Sequence, residues 1–159
     1  MKLALTSLAV ILGIGIFTAA SSAASQPKWI ASPTCRATTT SITCAGKATG
    51  LAVHDPDWPP TPAIFGRVVY TCAEDPSVRG LNGTEGPLFE GGSVQNGRQF
   101  SVRYTPGPTP DVLEDPNGPG CPSGNWNRDP SYYNVSVGIA QSDPNNFVLF
   151  SPLLGTVSP

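Results

Sequence analysis

The stretch Tyr132-Tyr133-Asn134-Val135-Ser136-Val137-Gly138-Ile139-Ala140 decides the fold class. Extended, it sends Tyr133, Val135, Val137 and Ile139 to one side and Tyr132, Asn134, Ser136 and Gly138 to the other. Strict alternation with β-branched residues on the apolar side marks a strand with one buried and one wet face. Upstream, Arg98 to Tyr104 repeats the pattern, with Phe100, Val102 and Tyr104 inward and Gln99, Ser101 and Arg103 outward. The Asn96-Gly97 pair just before it is a hairpin-turn signal. Ala63 to Cys72 is apolar on both faces, which suits a central strand, with Ile64, Val68 and Tyr70 opposed to Phe65 and Val69. Ser41 to Gly46 buries Ile42 and Cys44, and Asn146 to Phe150 makes a last strand with Phe147, Val148, Leu149 and Phe150. Gln26 to Ser32 opens the domain as an edge strand, since Pro27 and Pro33 lack the N–H that an interior ladder requires.

Turn-forming clusters separate these runs at Asp55 to Pro62, Asp75 to Gly86, Gly91 to Gly97 and Asp143 to Asn146. The 159 residues include 18 prolines and 17 glycines, and only 13% are charged, which excludes a helical bundle or coiled coil. Parallel strands need helical crossovers, and no helical periodicity exists to supply them. The expectation is an all-β, antiparallel sandwich of about six to eight strands. Thr105 to Pro130 interrupts the scheme with a Pro-rich run lacking strand alternation, read as a stiff excursion held by Cys121.

Lys2, the apolar run Leu8 to Phe17 and the small residues Ala19 to Ala24 have the order of a secretory signal. The apolar run is too short for a membrane anchor, which needs about 20 such residues. Residues 1–24 are therefore expected to be a signal peptide and 25–159 a single secreted domain, with no membrane span after its removal. Loss of Lys2 takes the formal charge from -2 to -3, which gives no electrostatic reason to expect nucleic acid.

Four cysteines in an exported chain imply two disulfides, for which three pairings exist. A turn centred between Thr39 and Thr40 sets Cys35 opposite Cys44 and leaves Cys72 for Cys121. The spacings between successive cysteines, 8, 27 and 48 intervening residues, do not suit a zinc site.

Cys35, Cys44-Ala45-Gly46-Lys47, Gly50-Leu51, Tyr70-Thr71-Cys72, Gly120-Cys121-Pro122, Trp126 and the strand Tyr133 to Ile139 run in one order along the chain. In this the sequence resembles small secreted actinobacterial proteins of unknown function. The resemblance implies an immunoglobulin-like β-sandwich and transfers no catalytic residue. The secreted subtilisin-inhibitor and enediyne-carrier families have similar size, but their cysteine spacings are not reproduced.

His54 is the sole histidine, in a Pro-rich turn with Asp55 and Asp57, and no Gly-x-Ser-x-Gly elbow occurs. Glu85, Glu90, Glu114 or Asp115 offer carboxylates for a glycosidase pair, and Asp55 with Asp57, or Asp115 with Asn117 followed by Gly118, offer carboxylate and amide ligands for calcium. Turn formation by Asp and Asn is the simpler reading. No catalytic residue, metal or cofactor is therefore expected. Trp58, Trp126 and the outward Tyr132 are the candidate ligand-binding residues, because exposed aromatic faces stack on sugars or anchor proteins. With hydrophilic residues on the strand faces, loops are expected to dominate binding. The function expected is that of a secreted, non-enzymatic binding domain for an extracellular glycan or protein. A carbohydrate-binding module using the loop aromatics is the alternative, and a small hydrolase the second.

Overall fold

The computed structural model describes residues 26–51, 59–82, 87–90, 92–96, 98–141 and 146–159. Every element among them is a strand: β1 (Lys28–Ala37), β2 (Ile42–Thr49), β3 (Thr61–Cys72), β4 (Arg79–Asn82), β5 (Pro87–Glu90), β6 (Ser93–Gln95), β7 (Gln99–Tyr104), β8 (Val112–Leu113), β9 (Trp126–Ala140), β10 (Phe147–Phe150) and β11 (Gly155–Val157). The smaller sheet has the order β1-β2-β7-β6, and the larger β10-β9-β3-β4-β8, with β5 on β3 and β11 on β9. All pairings are antiparallel.

The β1–β2 hairpin begins from its turn. Thr38 accepts the Ser41 N–H on its hydroxyl at 3.0 Å and donates its own N–H to the Ser41 carbonyl at 2.7 Å. That turn pairs Ala37 with Ile42, Arg36 with Thr43 and Cys35 with Cys44. The Cys35–Cys44 disulfide therefore joins directly opposed residues, and Cys72–Cys121 is the second bridge. Pro33 falls inside a register shift between Ala31 and Thr34, where an edge strand tolerates a missing donor.

Ile42, Cys44, Phe100 and Val102 from the smaller sheet meet Ile64, Val68, Tyr70, Val135, Val137 and Ile139 from the larger in one core. The sheets thus bury one face each against the other. β3 is central in the larger sheet, flanked by β9 on one side and by β4 and β5 on the other.

Three expectations need correction. More strands form than six to eight, because short pieces inside the Pro/Gly-rich runs (β4, β6 and β8) still find ladder partners. β10 is not the last strand, since β11 follows it along the same edge of β9. β9 starts at Trp126, six residues before the alternation becomes visible. Residues 129–131 lie opposite the single residue Val69, and this bulge hides the strand by breaking its period and absorbing Pro130.

A second bulge in β9 changes which side chains point inward. Phe65 pairs with Ser136 and Arg67 with Tyr133, so Asn134 and Val135 both face Gly66. Asn134 takes the left-handed conformation, with φ 53°, which Asn tolerates better than most residues. Beyond it the parity reverses. Tyr132, expected outward, is 2% exposed in the core, and Tyr133, expected inward, lies on the outer face beside Arg67.

Candidate binding face

Of the three aromatic residues expected to bind ligand, the structure describes Trp126 and Tyr132. Trp58 and His54, with Asp55 and Asp57, lie outside the described residues, as does Glu85. Trp126 pairs with Cys72 and packs half-buried against the core. Tyr132 presents no ring face to solvent.

Tyr132 belongs instead to a group of inward tyrosines with Tyr70 and Tyr104. Tyr70 donates its hydroxyl to the Gly107 carbonyl at 3.2 Å and accepts from the Asn82 amide at 3.5 Å. Burial, beside Tyr70, Asp111 and Tyr132, pushes the Tyr104 phenol up to about 12. Burial also raises Tyr70 and Tyr132. The Pro-rich run closes this end of the sandwich. It is tied by Arg128 to the Pro106 carbonyl, by the Asp111 N–H to Leu81, by the Glu114 N–H to Arg79 and by the Cys72–Cys121 bridge.

Two of the carboxylates considered for chemistry have other engagements. Glu114 forms an ion pair with Arg79 at 3.4 Å. Asp115 accepts the Asn117 N–H at 2.9 Å, closing a turn through its side chain.

The outer face of the larger sheet carries what the sequence reading missed. Phe65 of β3 and Phe147 and Phe150 of β10 gather there, with ring centroids 5.0, 5.3 and 5.4 Å apart. They converge over Gly138 of β9, where a Cβ would lie 2.8 Å from Phe147, 2.9 Å from Phe65 and 3.1 Å from Phe150. None of the three belongs to the core. Phe150 is 52% exposed. The same edge carries Ile30 and Leu153, 54% and 71% exposed, and here β1 reaches β10 through a hydrogen bond from Trp29 to Phe150. The usable signal was Phe65 on the second face of an apolar strand, together with a glycine among supposedly wet positions.

Next to these rings, a groove of about 260 Å³ opens over Arg67, Val69 and Tyr133, bounded on β4 by Arg79 and Leu81. Val69, buried at 4% exposure but outside the cluster between the two sheets, forms the floor of this face.

The chain matches no protein-family model, no curated protein and no solved structure.

Proposed function

We propose that this is a non-catalytic binding domain that works outside the cell and contacts its ligand, an envelope glycan or an extracellular protein, with the outer face of its larger sheet. The observation that carries this reading is the phenylalanine cluster over Gly138. Three rings on the side of a sheet away from its core gain nothing from the sandwich interior, and a partner that covered them would remove apolar surface from water. The sandwich is proposed to be immunoglobulin-like. In support, β1-β2-β7-β6 follows the A-B-E-D order, and β10-β9-β3-β4 follows G-F-C with an added C′ strand. Work outside the cell is supported by the two disulfides, which persist in oxidising compartments, and by the signal-like order of residues 1–24.

Phe147→Ser with Phe150→Ser should test the reading in a sedimentation assay with purified cell-envelope material. Loss of an anchor of this kind should weaken attachment by about thirtyfold, while the melting temperature falls by only a few degrees. Attachment at wild-type strength in the double variant would overturn the reading.

A further inference from the structure

We propose that the groove beside the phenylalanine cluster is a subsite for one acidic sugar, a hexuronic acid unit of a polysaccharide. This deepens the binding-domain reading and rests on it. The Asn134 bulge builds the groove: by reversing parity it takes Tyr133 out of the interior and sets it opposite Arg67. Asn134, the additional residue, lines the groove from the same bulge and is exposed.

Four features of the groove define the ligand. Arg67 is exposed and makes no ion pair among the described residues, so its guanidinium fork is open to a carboxylate. Arg79 is already matched to Glu114 at 3.4 Å. The lining therefore carries one surplus positive charge, which suits a monoanion better than a phosphate dianion. Tyr133 and Leu81, both half-buried, offer apolar surface to the non-polar face of a sugar ring above the buried Val69. Asn134 and Glu114 supply an amide and a carboxylate, the mixed donors and acceptors that ring hydroxyls require. The volume of about 260 Å³ lies below the usual range for drug-sized ligands, about 300–1,000 Å³, and is the scale of a single ring. Phe65 stands one outward position along β3 from Arg67, about 7 Å away, where the next sugar of a chain would lie.

Binding of oligogalacturonate, its methyl ester and sulfated dextran by the full chain would test this, with Arg67→Gln, Arg67→Lys and the Phe147→Ser/Phe150→Ser protein alongside. Oligogalacturonate should bind, and esterification, which keeps the rings and removes the charge, should weaken it by about tenfold. Arg67→Gln should cost as much and Arg67→Lys less, with unchanged melting temperatures because Arg67 is exposed. Equal binding of ester and acid, indifference to Arg67→Gln, no binding of oligogalacturonate, or equal binding of sulfated dextran would each overturn the acidic-sugar subsite. If envelope attachment still depends on Phe147 and Phe150 in that event, the subsite fails while the binding-domain reading stands. Failure of both assays removes both.

Discussion

Trp29 and Phe150, 121 residues apart in sequence, are joined by an indole N–H donated to a backbone carbonyl at 2.9 Å. The indole also packs against Phe100 of the smaller sheet, with ring centroids 5.6 Å apart. One side chain of the edge strand β1 thus contacts the first sheet with its ring and the edge of the second with its nitrogen. It closes the open side of the sandwich next to the phenylalanine cluster.

Replacing Trp29 separates these two roles. Trp29→Phe keeps a ring against Phe100 and loses the donor, which should cost about 1 kcal/mol. Trp29→Ala loses both and should cost about 3 kcal/mol. Urea unfolding of the two variants checks the difference, and equal losses would assign the whole contribution to the hydrogen bond.

The bulge predicts an unusual order of tolerance at position 134. Asn134→Gly should leave stability near wild type, since glycine accepts φ 53° without strain. Asn134→Val, favourable in an ordinary strand, should cost about 1–2 kcal/mol by forcing a β-branched residue into the left-handed region. Thermal unfolding of both variants decides, and a valine more stable than glycine would mean that no bulge forms there.

The two disulfides should contribute unequally. Cys72–Cys121 spans 49 residues and Cys35–Cys44 spans 9. In the chain-entropy account these separations correspond to about 4 and about 2.5 kcal/mol respectively. Double alanine variants of each pair, compared by denaturant midpoint, should show the larger loss for the long bridge. A non-reduced digest should yield these two linkages and no others.

The buried tyrosines set an alkaline limit. The fold holds the Tyr104 phenol in its neutral form, up to about 12 against an ordinary value of 10.0. Because the native state binds this proton more tightly, the associated stability is complete below the ordinary value and is lost as pH rises through the folded one. Denaturant midpoints should fall across that interval and fall less in Tyr104→Phe. A Tyr104 phenolate that titrates at its ordinary value while the protein stays folded would contradict this.

Local chemistry made part of this architecture legible. The turn at Thr38 to Ser41 gave the hairpin register and its disulfide, and the alternation of Gln99 to Tyr104 survives unchanged in β7. Asn96, with φ 50°, makes the β6–β7 turn that its pairing with Gly97 implied. What stayed hidden depends on cross-strand register. A single additional residue at Asn134 inverts Tyr132 and Tyr133, and nothing local announces it. The phenylalanine cluster was hidden because its members come from strands distant in sequence, and because Gly138 reads as a small wet position when it is a floor under three rings.

The long separation between β3 and its partner β9 has a cost during synthesis. β3 is apolar on both faces, and its main neighbour begins at Trp126, 54 residues beyond Cys72. In a chain made from its N-terminus, β3 must wait unpaired on that side, with the composition that favours intermolecular strand stacking. Arg67 is the one charged residue in β3, near the middle of Thr61–Cys72. Stacking β3 in register on copies of itself would bring these like charges together, which by general electrostatics opposes such association.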